Sequence, residues 1–371
     1  MTDALVAASR ASIEKGSKSF ALASRLFEPV LRDRATLLYA WCRYADDVID
    51  GQDAGYGRVE YAGTPAERLA ALEAGTRLAL SAGRDSSTHS LIRHPGEGRD
   101  PPSSATRNSE LATTVGPGLR RDDDQGVERE TRDDDQGVGE ATNLPFAALA
   151  RVAADTAMPE RYPLDLIEGF RSDVEERAFI TFDDTLTYCY HVAGCVGVMM
   201  AIVMGVPPGD RATLDRACDL GMAFQLNNIA RDVVEDAANG RCYLPAIWLA
   251  EAGLTQATYA SPEYRAALAT VVARLVDEAE RYEASSRFGT PALTRRAAWA
   301  VLAAADIYGG IGRKVRAEGA AALDHRVTTS RAEKLWAVAR TLPLSFSRAR
   351  RWPAPGPSRA GLWTRPYPAT T

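Results

Sequence analysis

An all-α fold is what this sequence predicts, and three observations predict it. Ala, Leu, Arg and Glu are abundant, and apolar residues recur at spacings near 3.6 rather than 2. No run of alternating strands occurs, and no Gly-rich phosphate loop follows a strand. The 371 residues are 46% hydrophobic and 25% charged, an ordinary globular composition with length for a large core. The helix candidates follow in order. Leu31–Asp50 carries a Tyr/Trp/Leu face and ends in acidic residues. Pro65–Ala82 opens on proline and runs on in Ala, Leu and Glu. Leu164–Ile180 alternates apolar and charged residues at helical spacing. Asp184–Met204 enters the longest apolar run, Val192–Val206, whose 15 residues include three glycines. That run is shorter than the roughly 20 residues needed to span a bilayer, so it reads as a buried core helix. Asp210–Asp236 opens on an aspartate and ends in acidic residues, and Glu263–Arg287 and Pro291–Ala317 complete the set.

Composition excludes several function classes. The net charge of −5 gives no support for nucleic-acid binding. Cys42, Cys189, Cys195, Cys218 and Cys242 are scattered, and the four histidines share no metal-ligand spacing. A disulfide framework or zinc site is not expected, and a reducing cytoplasm fits best. Met1–Phe20 has no apolar core of the signal-peptide kind.

One domain over residues 1–345 is expected, interrupted by an insert at 93–142. The insert is rich in Gly, Pro, Ser, Arg and Asp, and Arg-Asp-Asp-Asp-Gln-Gly-Val occurs in it twice, at Arg121–Val127 and Arg132–Val138. Between His94 and Ala141 stand 12 acidic and 6 basic residues, so the remainder of the chain is near +1. Such a segment buries too little apolar surface to offset its ordering entropy, and it reads as a disordered insertion rather than a cation site. Residues 346–371 form a basic tail with Pro, Arg, Trp352 and Trp363 and no acidic residue. Two readings of it stand: contact with an anionic membrane surface, or a frayed terminus.

Two acidic motifs carry the chemistry. The first is Tyr39-Ala-Trp-Cys-Arg43-Tyr-Ala-Asp46-Asp47-Val-Ile-Asp50. On a helix Asp46 and Asp50 are i,i+4 neighbours, Asp47 is i,i+3 to Asp50, and Arg43 and Tyr39 extend that face. The second is Gln225-Leu-Asn-Asn228-Ile-Ala-Arg231-Asp232-Val-Val-Glu-Asp236, where Gln225, Asn228, Asp232 and Asp236 form one stripe. Like charges at i,i+4 weaken a helix by a few tenths of a kcal/mol, so structure alone gives no reason for them. Clustered oxygen donors suit Mg²⁺, a hard cation usually shared with substrate phosphates. Arg43 and Arg231 supply donors for phosphate oxygens. An exposed charged face would not carry Leu226, Ile229 and Val233 so closely around it.

These motifs resemble those of the squalene/phytoene synthase family, the head-to-head branch of class I isoprenoid synthases. Gly16-Ser17-Lys18-Ser19-Phe20 is similar to the family's diphosphate-contacting segment. Thr181-Phe-Asp-Asp-Thr-Leu-Thr-Tyr188-Cys-Tyr-His-Val-Ala-Gly194 resembles its central helix, and Asp232-Val-Val-Glu-Asp-Ala-Ala-Asn-Gly-Arg-Cys-Tyr-Leu-Pro245 its second signature. The likeness covers nearly the whole chain outside the insert and tail and is greatest to the bacterial phytoene-forming branch. Asn227 stands where the family usually has Thr.

The resemblance implies a single-domain helical bundle around a central cavity. It implies Mg²⁺, with Mn²⁺ as substitute, held by Asp46, Asp50, Asn228 and Asp232, with Asp47 and Asp236 as close partners. Ser17, Lys18, Ser19, Phe20, Tyr39, Arg43, Gln225, Arg231 and Tyr308 are implied prenyl-diphosphate contacts, and Tyr188 lies near the reacting carbons. The implied activity is a prenyltransferase step: two geranylgeranyl diphosphates condense head to head to phytoene through a cyclopropyl diphosphate. That is the first committed step of carotenoid biosynthesis, with no NADPH. Farnesyl-diphosphate-using squalene, presqualene diphosphate or dehydrosqualene synthases are the enzymatic alternative, and family-related assembly factors the non-enzymatic one. A cytoplasmic protein held peripherally on the inner membrane, near downstream carotenoid enzymes, is the expected setting.

Overall fold

A computed structural model describes residues 4–16, 24–51, 59, 61–91 and 135–367, and the side chains of 4–10, 24–51, 59, 61–84 and 144–367. Among the described residues every regular element is helical, as the 3.6 spacing requires. The order is α1 (Ala4–Gly16), α2 (Pro29–Asp50), α3 (Pro65–Leu91), α4 (Asp135–Thr156), α5 (Arg161–Val174), α6 (Phe182–Cys189) and α7 (Cys195–Val203). Then come α8 (Arg211–Ala238), α9 (Ala246–Glu251), α10 (Arg265–Ser286), α11 (Arg295–Glu318) and α12 (Arg331–Arg351).

Local chemistry sets the ends. Thr181 and Asp184 form a reciprocal capping box at the start of α6, and Ser330 and Glu333 do the same for α12. Asp210 accepts from the Thr213 N–H to start α8, and Gly51 closes α2 in a left-handed conformation. Helix α8 is the hub, packing on α10, α7, α11 and the turn Tyr190–Gly194. Close approach along it requires glycine. A Cβ at Gly221 would lie 2.2 Å from the Ala193 carbonyl oxygen, and one at Gly197 2.4 Å from that of Ala217. Trp41, Tyr190, Tyr282 and Met222 are among the largest fully buried side chains of the bundle. The five cysteines are free.

The structure departs from the sequence reading in several places. Helices α1, α4, α9 and α12 are additional to the expected set. Helix α5 stops at Val174 instead of Ile180, and Glu176 just beyond it has φ of 50°, which no helix continues. Helix α11 begins at Arg295, capped by Thr294, and Pro291 belongs to the preceding tight turn. The run Phe182–Val203 is by length and composition enough to cross a bilayer, but most of its apolar window is buried in the bundle. Of the expected insert, residues 93–134 lie outside the described residues, and α4 already begins at Asp135, inside the expected 93–142.

The expected boundary at Ser345 falls inside α12, with that side chain buried. Residues 352–367 are no frayed end, for they fold back across α8. Arg359 holds the fully buried Asp219 at 2.6 and 2.9 Å. Arg365 bonds Asp215 at 2.6 Å and the Tyr162 hydroxyl at 2.7 Å. The Trp363 N–H donates to the Tyr282 hydroxyl, and its ring lies 5.0 Å from that of Tyr190. Removing one partner of a buried ion pair leaves the other charge uncompensated, at about 3–5 kcal/mol. Arg359→Ala should therefore lower unfolding free energy by about 3 kcal/mol in urea titration, since Ser285 still bonds Asp219. Arg350→Ala, on an exposed surface, should change it by less than about 0.5 kcal/mol.

Candidate active site

One face of α8 lines a cavity of about 560 Å³. Its lining residues step along the helix as Thr213, Arg216, Ala217, Leu220, Gly221, Phe224, Gln225 and Asn228, alternating three and one. This is the helical stripe the second motif continues. From Thr213 to Asn228 the stripe is roughly 22 Å long at 1.5 Å per residue. Helix α2 contributes Leu38, Tyr39, Cys42, Arg43, Asp46 and Asp50, and α11 contributes Ala300, Val301, Ala304, Ile307 and Tyr308.

The fourth wall contains a local irregularity. Tyr190–Gly194 forms a single π turn between α6 and α7. The lining positions run Tyr188, Val192, Ala193, Val196, Gly197, Met200, Ala201 and Met204, a step of four and then of one and three in alternation. The π turn spans Val192 and Ala193, where that alternation begins.

Carboxylates gather at one end. Asp46 keeps 41% of its side-chain surface and lines the cavity. Burial pushes its carboxyl up to about 7; Arg43 at 2.6 Å opposes this, while Asp50, Asp47 and Asp173 add to it. Asp236 is likewise held at about 7 by burial, with Asp232, Glu235 and Asp173 adding and Arg241 opposing. The two acidic faces thus meet: Arg241, just past α8, bonds Asp50 on α2 at 2.9 Å. Asp232 is paired with Arg231 and also with Arg326 at 3.3 Å. Asp47 is buried 3.9 Å from Arg43.

The structure brings Tyr39, Arg43, Asp46, Asp50, Tyr188, Gln225, Asn228 and Tyr308 to the cavity wall. The pair Arg231–Asp232, and Asp236, lie further along α8, outside the lining set. Ser17, Lys18, Ser19 and Phe20 lie outside the described residues. Gln225 and Asn228 touch through their amides at 3.4 Å. Tyr308 stacks on Phe224 with centroids 4.5 Å apart. Asn227, the departure from the family pattern, is buried against Gly312 with its Oδ1 unpaired.

Three residues here escaped the sequence reading. Asp173 of α5 accepts hydrogen bonds from Tyr188 at 3.1 Å and Tyr243 at 2.9 Å, and burial raises its carboxyl above the usual range. Tyr188 and Tyr243 stack at 4.7 Å, with Phe179 edge-on to both. Arg241 and Tyr243 belong to the quoted Gly-Arg-Cys-Tyr-Leu-Pro string, the one available signal; Asp173 falls in no quoted motif and gave none.

The donors near this end are carboxylate and amide oxygens, the set a hard divalent cation prefers. Among the described residues no three acidic, His or Cys side chains converge as a ready-made cation site, because arginines hold the carboxylates apart. Chemically, the arrangement suits binding a polyanion between arginines and acidic groups while enclosing a long apolar chain.

Comparison with known proteins agrees. The chain is 44% identical to a 15-cis-phytoene synthase of a Paracoccus species, over 98% of this chain and 99% of that one. It is 42% identical to the 15-cis-phytoene synthase of Pantoea ananas, over 95% and 94%. In structure it is similar to a dehydrosqualene synthase, with TM-score 0.64, 24% identity and coverage of 92% and 97%. A squalene synthase from Alicyclobacillus acidocaldarius has TM-score 0.61 at 21% identity, over 85% and 94%. The family profile of squalene/phytoene synthases matches residues 13–333, and the chain belongs to that family.

Proposed function

We propose that this protein is a prenyltransferase that joins two geranylgeranyl diphosphates head to head to give phytoene. The observation that carries this is the identity of 42–44%, over nearly the full length of both partners, to proteins named 15-cis-phytoene synthase. Cavity length supports it. An extended prenyl chain adds about 5 Å per five-carbon unit at ordinary bond lengths. Four units then fill the roughly 22 Å of α8 stripe better than three.

In this reading Arg43, Arg231, Arg241 and Arg326 draw the diphosphates to the acidic end and donate to their oxygens. The carboxylates those arginines now hold are released as they turn to phosphate. Asp46, Asp50, Asn228 and Asp232 would hold Mg²⁺, or Mn²⁺ in its place, with Asp47 and Asp236 beside them. The bound ion supplies Lewis acidity at the departing diphosphate. The apolar walls from α2, α7, α8 and α11 fix the chain and keep water from the allylic cation. The Tyr188–Tyr243 pair offers ring faces to positive carbon, and Asp173 fixes both hydroxyls. Attack by the second molecule's double bond gives a cyclopropyl diphosphate with loss of one proton. Departure of the second diphosphate, rearrangement and loss of another proton give the hydrocarbon. Two diphosphates and two protons leave and no hydride enters, so no NADPH is required. The product is insoluble in water, so we place the protein in the cytoplasm at the inner membrane surface, where downstream carotenoid enzymes take up phytoene.

Three results test this. Purified protein with Mg²⁺ and geranylgeranyl diphosphate should give a forty-carbon triene without NADPH, identified by mass spectrometry. A thirty-carbon product from farnesyl diphosphate alone would move the activity to the squalene branch. Asp46→Ala and Asp232→Ala should each lower turnover at least about a thousandfold, on the scale of lost charge stabilisation. Their circular dichroism should stay that of the parent.

The pH dependence of metal binding has a definite sign. Asp46 and Asp236 hold protons up to about pH 7, and a cation needs them ionised. Mg²⁺ affinity should therefore rise from pH 6 to pH 8 and level off above. Calorimetry in buffers of different ionisation heat should show proton release at pH 6.5 that vanishes by pH 8.5.

A further inference from the structure

We propose that the outward face of α12 is a docking surface for an anionic lipid bilayer. Ten large hydrophobic side chains are exposed among the described residues, and four of them, Leu335, Trp336, Leu342 and Phe346, lie on this helix. The other six are spread over six separate segments, as on any soluble surface. At 100° per residue the four, with Ala339 and Pro343 between them, cover one stripe about 120° wide. The stripe lies opposite the buried Ala337, Thr341 and Ser345. It is no core face left over, because α12 already packs on α11 by its other side, with the Trp299 indole donating to the Val338 carbonyl at 2.8 Å.

Charge says what covers the stripe. Helix α12 carries six basic residues against Glu333, a net of +5 in a chain whose total is −5. Glu333 is bonded to Lys314 and to its own helix cap. Arg331, Arg350 and Arg351 are exposed beside the apolar stripe, and Arg295 lies 4.5 Å over the Phe346 ring. Basic residues flanking exposed Trp, Phe and Leu on an amphipathic helix match the interface of an anionic membrane. A second copy lacks that support, since two copies would bring like charges together.

The location fits the activity proposed above, on which this part alone rests. Arg348 donates to the carbonyls of Thr290 and Leu293, both of which line the cavity. The docking face is thus one helical layer from the space where an apolar product forms. The surface lies on α12 and not on the terminal tail, whose Arg359, Arg365 and Trp363 are engaged within the fold.

The test is sedimentation of the full chain, without substrate, with vesicles of phosphatidylcholine alone or mixed with phosphatidylglycerol. The protein should bind the mixed vesicles, and less at higher salt. Leu335→Ser/Trp336→Ser/Phe346→Ser and, separately, Arg350→Glu/Arg351→Glu should each weaken binding about tenfold or more. Both should keep the parent's melting temperature and its turnover of detergent-dispersed substrate. Trp336→Phe should remove most of the fluorescence quenching by brominated lipid. Equal binding by parent and variants would overturn the proposal. So would absence of vesicle binding together with a dimer, in sedimentation velocity, that the serine variant dissolves. Because vesicle binding is read without turnover, its failure is distinct from failure of the proposed reaction.

Discussion

Negative charge crowded at one end of an apolar cavity has to be neutralised, and much of the structure is arranged around that need. Asp46 and Asp236 are pushed to about 7 and Asp173 upward. Burying several carboxylates together is unfavourable unless each meets a cation or gives up its ionisation. Arg43, Arg231, Arg241 and Arg326 meet them from α2, α8, the α8 exit and the segment before α12. The same arginines are what a diphosphate would seek. The acidic end is therefore held together by ion pairs whose arginines would, in the proposed reaction, serve the diphosphates as well.

The apolar half of the site depends on how closely helices approach α8. Gly197 and Gly221 let the backbones on either side come within reach where a methyl group would collide with a carbonyl oxygen. The π turn at Tyr190–Gly194 joins α6 to α7, and Tyr188 before it and Met200 after it line the same cavity. The Tyr188 hydroxyl bonds Asp173 on one side of the turn, and the longest apolar helix enters the cavity on the other.

What the sequence revealed and what it hid have physical reasons. The two acidic motifs were legible because helical period alone sets Asp46 beside Asp50 and Asn228 beside Asp232. What brings them together is the fold, in which the Arg241–Asp50 bond links the exit of α8 to α2. Asp173 was illegible because its meaning comes from Tyr188 and Tyr243, which reach it only after three segments have packed. The π turn has no compositional signature. The tail misled because its arginines and prolines look like surface, while their partners Asp215 and Asp219 stand some 140 positions earlier in sequence.

The C-terminal arginines show why composition cannot divide interior from exterior. Arg348, Arg359 and Arg365 point inward, each satisfied by carbonyls or carboxylates, while Arg350 and Arg351 point out. Arg359 and Arg365 grip the first turns of α8, where Asp215 and Asp219 lie, and Arg216 there bonds Ser285 and the Pro357 carbonyl while lining the cavity. Helix α8 is thus fixed at its start by the tail and at its end by the arginines around Asp232. Along its 28 residues the cavity stripe runs without a gap from Thr213 to Asn228. A long prenyl chain reaching from the acidic end would lie along that unbroken stripe, whose far end at Thr213 and Arg216 is the part the tail anchors.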